Sequence, residues 1–175
     1  GIEKDLWIQG IRESESTALL ESEIDEGMLC VDIGANIGYY ALKESVLAGE
    51  DGKVLAIEPL PESFERLQQN LEMNDTGEVE TVNAAITGKD STCEMLVRED
   101  RNVSRVMTDD ERRKYREVET VESKKLEDII EEAPDFIRMD LEGFEAELIQ
   151  QIVEIDSQEL KMFAEVHPEK MNEVY

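Results

Sequence analysis

Two carboxylates and a pair of glycines carry the clearest chemistry in this sequence. Asp32, Gly34 and Gly38 form the pattern D-x-G-x-x-x-G, with Ala35 and Asn36 between the glycines. Glycines let the backbone turn sharply and let a ligand come close. A strand running through such a turn into a helix gathers backbone N–H groups and a helix N-terminus at one point. That is a natural seat for an anionic group. Glu58 stands twenty residues past Gly38, at the end of the next apolar run. A carboxylate there can accept both ribose hydroxyls of a nucleoside cofactor. Acids make up about a quarter of the chain, 44 of 175 residues, so a single acid at a strand end means little. An acid closing two successive apolar strands, the first followed by a glycine turn, is much harder to reach by chance.

These residues need elements to hold them. Met28 to Ile33 is a short, mostly apolar run, as expected of a buried parallel strand. The residues after Gly38, YYALKESVLAG, repeat their apolar positions at helical spacing. A turn follows at Gly49 to Gly52, then a second buried strand, Lys53 to Glu58. Pro61 suits the first turn of a helix carrying Phe64, Leu67 and Leu71 on one face. Glu78 to Ala85 reads as a third strand, and Thr92 to Arg98 as an added strand paired with Val118 to Val121. Lys124 to Glu132 is expected to be a helix, Asp135 to Asp140 a fourth parallel strand, Gly143 to Ile155 its helix, and Leu160 to Val166 a fifth strand. Right-handed crossovers turn this order into an α/β, Rossmann-like, doubly wound sheet, mostly parallel, with strand order 3-2-1-4-5 and helices on both faces. Residues 1–27 form an N-terminal helical cover, clearest at Thr17 to Ile24, and residues 28–175 form the core of a single domain. Ligands of such sheets bind outside the carboxyl ends of the strands. Those ends are Asp32 to Gly38, Glu58-Pro59, Asn83 to Ala85, Asp140 to Gly143, and Glu165 to His167.

Composition narrows the partners. The net charge is −26, and the acids are spread along the chain. Such a surface repels phosphate backbones, so neither nucleic acid nor an anionic membrane is an expected partner. It also repels itself, and halophilic proteins use this composition because concentrated salt screens the repulsion. Cys30 and Cys93 form neither a metal spacing nor a disulfide framework, and no ligand spacing supports a metal. No apolar run approaches spanning length and no signal peptide is present, so a cytoplasmic protein is the default expectation. The sequence starts at Gly1, which leaves room for a preceding piece.

The D-x-G-x-x-x-G pattern is similar to motif I of class I methyltransferases that use S-adenosyl-L-methionine (SAM). It differs from the dinucleotide fingerprint G-x-G-x-x-G, which argues against a nicotinamide dehydrogenase. The segments VDIGANIGYYAL, VLAIEPLPESFERLQQNLEMN, VNAAI and FIRMDLEGFEAELI resemble the FkbM family of SAM-dependent methyltransferases in order and spacing. The resemblance covers roughly Ile24 to Pro168, and Asp140 to Glu145 is its most family-specific part. It implies methylation of a hydroxyl on a small molecule or sugar. It also implies that Asp32 fixes the turn, that Gly34, Ala35, Asn36 and Gly38 hold the methionine end of SAM, and that Glu58 binds the ribose. Pro59, Asn83 and Ala84 would border the adenine, and Asp140 would face the sulfonium side. SAM carries a carboxylate for the turn, and an ammonium and a sulfonium that carboxylates can balance.

Methyl transfer to a hydroxyl benefits from a base, and Asp140, Glu142 and His167 are the candidates. His167 reads equally well as a polar residue after the last strand, and Glu142 as a helix cap. The stretch Arg98 to Arg116 holds seven of the 18 basic residues. Asn102 and Ser104 within it match the Asn and Ser that the family often has in this region, and a lid over the acceptor, including Arg105, is expected there. An exposed helix laced by ion pairs is the other reading for Arg112 to Arg116. Class I methyltransferases continue past strand five with a helix and a hairpin. Little sequence remains after Pro168, so that hairpin is expected to be missing from this chain. A homo-oligomer is left open, and a non-catalytic SAM-binding module is the competing function.

Overall fold

The computed structural model describes residues 13–74, 76, 78–97, 104–106, 118–141, 145–155 and 159–165. Helix α1 (Ser14–Glu23) precedes strand β1 (Leu29–Ile33), helix α2 (Tyr39–Ala48), strand β2 (Lys53–Ile57), helix α3 (Pro61–Glu72) and strand β3 (Glu78–Val82). Then come β4 (Ala85–Ile86), β5 (Ser91–Val97), β6 (Ser104–Val106) and β7 (Val118–Lys124). A single 3-10 turn at Leu126–Asp128 leads to β8 (Phe136–Met139), helix α4 (Glu145–Val153) and β9 (Lys161–Ala164).

The main sheet has five strands in the order β3-β2-β1-β8-β9, and every pair is parallel. Counting its strands along the chain, this is the expected order 3-2-1-4-5. Side chains alternate across the sheet. Cys30, Val54, Ala56 and Phe136 point to one face, where Leu20 and Ile24 from the α1 end, Tyr40, Ala41 and Ala48 of α2, and Leu67 of α3 cover them. Val31, Ile33, Leu55, Ile57, Ile137 and Met139 point to the other face, under Leu126 and under Leu148 and Ile152 of α4. Helices therefore lie on both faces.

Local rules account for the helix ends. α2 buries Tyr40, Ala41, Glu44, Ser45 and Ala48, one stripe at helical spacing. It stops at Gly49, whose φ of 72° suits a residue without a side chain. α3 opens on Pro61, where no N–H is needed. Its Leu67 is fully buried, so Leu67→Ala would cost about 2–5 kcal/mol.

Two expectations need correction. The helix expected at Lys124 to Glu132 is only the Leu126–Asp128 turn. β7 keeps Lys124 in register with Ile86, and the apolar Leu126, Ile129 and Ile130 are taken into the second core. The third strand stops at Val82, and Ala85–Ile86 moves to a separate four-stranded sheet, order β4-β7-β5-β6. β5 pairs antiparallel with β7, as expected, from Ser91↔Ser123 to Leu96↔Val118. The expected lid holds a short strand, because Ser104–Val106 pairs with Met95 to Val97 at the edge of this second sheet. The C-terminal segment, where the hairpin is expected to be missing, lies outside the described residues.

Candidate active site

The glycine turn is built from inside. Gly34 N–H donates to the Ile57 carbonyl at 2.9 Å and Ala35 N–H to the same oxygen at 3.0 Å. Asn36 N–H donates to Glu58 Oε2 at 2.9 Å, and Gly38 N–H to the Ala35 carbonyl at 2.9 Å. These four amides are satisfied within the protein, so the anion seat expected of the turn is not made from them. Its left-handed positions are Gly34 (φ 86°), Asn36 (φ 53°) and Gly38 (φ 89°). Asn tolerates that region better than most residues with a side chain. A Cβ on Gly34 would lie 2.4 Å from the Asp140 carbonyl oxygen, and one on Gly38 2.6 Å from Leu67 Cδ1. The glycines thus serve close packing of protein on protein.

Glu58 is the latch between strands. Oε2 accepts from Asn36, and Oε1 accepts from Leu60 N–H at 2.9 Å. Burial pushes its carboxyl up to about 7, and the two amides pull the other way. Asn83 extends the latch to β3 by donating its side-chain amide to the carbonyls of Glu58 (2.8 Å) and Pro59 (3.0 Å). Ala84 beside it is fully buried.

Asp32 lies beneath the turn, fully buried. It stands directly opposite Arg138 across the β1–β8 ladder. Arg138 Nη1 donates to Asp32 Oδ1 at 2.9 Å. Burial pushes the Asp32 carboxyl up and Arg138 opposes that, while the Ala41 amide in the first turn of α2 also favours the charged form. Asp32 lies under the turn and its helix and has no exposed surface to offer a ligand. Asp140 follows β8, with its N–H on the Ile33 carbonyl at 3.1 Å and its side chain 18% exposed.

Sequence reasoning overlooked Arg138 and Glu44. Arg138 is a lone base inside the apolar run FIRM, two residues before Asp140, and that spacing is the signal that could have found it. Glu44 is an acid in the buried stripe of α2, four residues from both Tyr40 and Ala48. Asn102, Glu142 and His167 lie outside the described residues. Ser104 and Arg105 belong to β6, with Arg105 in register with Leu96. Among the described residues no group of His, Cys, Asp and Glu is arranged to hold a metal ion, and no helix is long and apolar enough to cross a membrane.

A parallel sheet of this order, with a glycine turn after its central strand and an acid closing the next one, defines a class I, Rossmann-like methyltransferase fold. The chain belongs to the Methyltransferase FkbM domain family, whose profile matches residues 32–174. The cofactor of this class is SAM.

Solved structures agree on the fold. The chain is similar to a precorrin-6Y C5,15-methyltransferase from Geobacter metallireducens, with a TM-score of 0.61 and 16% identity over 95% of this chain and 70% of that one. It is similar to an rRNA methylase from Streptococcus thermophilus, with a TM-score of 0.59 and 12% identity over 91% and 73% of the two chains. A methyltransferase FkbM from Methylobacillus flagellatus gives a TM-score of 0.50 and 22% identity over 71% of this chain and 28% of that one. Among curated proteins, a protein-L-isoaspartate O-methyltransferase of Methanococcus maripaludis is 39% identical over 62 residues. That stretch is 35% of this chain and 29% of the relative's length.

Proposed function

We propose that this chain transfers a methyl group from SAM to a hydroxyl oxygen of a small molecule or sugar. The observation that carries the reading is the meeting of three strand ends. Asn36 binds Glu58 at 2.9 Å, and Gly34 packs against the Asp140 carbonyl, within a chain that the family profile spans from 32 to 174. The donor set fits SAM. Glu58 has lone pairs left after its two amide bonds and would take the ribose hydroxyls. Pro59 and Asn83 would border the adenine, with buried Ala84 behind them. Gly34 to Gly38 would pass the methionine end, and Asp140 would balance its cationic side.

When bound, SAM supplies an electrophilic methyl group. The protein's part is to hold the acceptor oxygen in line, which accounts for much of the acceleration in such reactions, and to take its proton. Asp140 would take that proton, with Glu142 and His167 as further candidates. Asn102, Ser104 and Arg105 would meet the acceptor. The O-methyltransferase name of the curated relative supports oxygen as the atom methylated. The charge of −26 opposes an RNA acceptor.

Calorimetry in molar KCl tests the cofactor, with SAM, its demethylated product and NAD as ligands. Binding of the first two and not the third is expected, and Glu58→Ala should weaken SAM by roughly 1–3 kcal/mol. Labelled SAM and cell extract, read by mass spectrometry, test the acceptor. Methyl esters or methylated amines as the only products would remove the hydroxyl reading. SAM binding without turnover on any acceptor would favour a non-catalytic module.

A further inference from the structure

A guanidinium lies inside the layer between the main sheet and α2, where charges are rare. Arg138 is 2% exposed and has carboxylates on two neighbouring strands. Its Nη1 is 2.9 Å from Asp32 Oδ1 and its Nη2 is 3.7 Å from Asp140 Oδ2. The Tyr40 ring closes the layer, 3.9 Å from the guanidinium carbon. Glu44 faces the same group from α2, and both its oxygens, with Asp32 Oδ2 and Arg138 Nε, lack a hydrogen-bond partner among the described residues. Burial works against the Arg138 charge, and the carboxylates of Asp32 and Asp140 outweigh it, so the guanidinium is held above its usual value.

Stability does not account for this arrangement. A buried ion pair is commonly no more stabilising than apolar side chains of the same volume. What an arginine adds is a planar fork that engages two carboxylates at once. One of them sits under the glycine turn. The other, Asp140, stands at the mouth of β8, and its backbone packs against Gly34.

We infer that Arg138 is a positioning residue for the cofactor. It holds the Asp140 carboxylate at the floor of the site and ties that floor to the Asp32 end of β1, so that a fixed negative charge meets the sulfonium of SAM. The inference rests on the SAM reading above. It separates SAM from S-adenosylhomocysteine, which has the same skeleton and a neutral thioether.

The test is calorimetry of both ligands on wild type, R138K and D140N, and on the D140N/R138K double variant. Lysine keeps the charge and loses the fork. R138K is expected to weaken SAM about tenfold and S-adenosylhomocysteine about twofold, so their affinity ratio falls about fivefold. In the D140N background the same change should shift the ratio less than about twofold, because the group it acts through is gone. Equal losses for both ligands in R138K would reduce Arg138 to a structural role and overturn the inference. A ratio shift that persists undiminished in D140N would overturn it too. Wild type that binds neither ligand would instead remove the SAM reading, and this inference with it. Should R138K fail to fold, D32N/R138M removes the buried Asp32–Arg138 pair as a whole, and the same fall in ratio is expected of it.

Discussion

The Asn36 amide donates to the Glu58 carboxylate at 2.9 Å. That bond fastens the turn after β1 to the end of β2, and Leu60 N–H on the other oxygen fastens the start of α3 to the same side chain. A neutral amide could not replace it without cost. Two N–H groups need two acceptors, and glutamine offers one.

This latch should make stability depend on pH in a particular direction. Burial raises Glu58 to about 7 in the folded chain, from an ordinary value of 4.5. Between those values the folded state holds a proton that the unfolded chain has released, so the Glu58 contribution falls as pH rises. The change is on the order of 3 kcal/mol. Urea unfolding of wild type and Glu58→Gln, both in molar KCl, should show the stability gap between them shrinking from pH 4.5 to pH 7. A gap independent of pH would contradict it.

Gly34 and Gly27 both have positive φ, 86° and 88°, and differ in surroundings. A Cβ at Gly27 meets nothing within 4 Å, whereas one at Gly34 meets the Asp140 carbonyl at 2.4 Å. Gly27→Ala should cost about 1–2 kcal/mol, the strain of a left-handed alanine. Gly34→Ala should cost several kcal/mol and weaken SAM binding as well, since β1 and β8 must part. Similar melting temperatures for the two variants would show that β8 can yield.

Glu44 is an acid buried against an arginine already paired with Asp32. Burial, and then the Asp32 charge, push it well above the ordinary range. Its folded form favours the proton, so it costs stability as pH rises above the unfolded value. Glu44→Gln should therefore stabilise the protein by roughly 1–3 kcal/mol at pH 8, with the gain vanishing near pH 4, where both states hold the proton. Thermal melts at the two pH values check this. A variant less stable than wild type at pH 8 would mean that Glu44 stays charged and supports Arg138.

Salt should matter well beyond ordinary screening. With a net charge of −26, the folded surface repels itself, and added salt relieves that repulsion. The melting temperature is expected to climb steadily from 0.1 to 2 M KCl. A flat profile would show that the acids are already balanced locally.

The sequence by itself determined the order of the five parallel strands. Apolar runs closed by Asp32, Glu58 and Asp140, each separated by a helical pattern, leave few ways to lay down a sheet, and right-handed crossovers select one. It also marked Gly34 and Gly38, because few other residues turn a strand into a helix so sharply. What only tertiary structure decided is where each carboxylate points and what it meets. Asp32 and Arg138 are separated by more than a hundred positions and become neighbours through the β1–β8 register. That pairing gives Asp32 a buried partner beneath the turn. The same holds for the turn's amides, which local spacing offers to a ligand and which β2 takes for itself. Periodicity reads a side chain's face and strand. It does not read the partner across a ladder, because that partner is fixed by the packing of segments far apart in the chain.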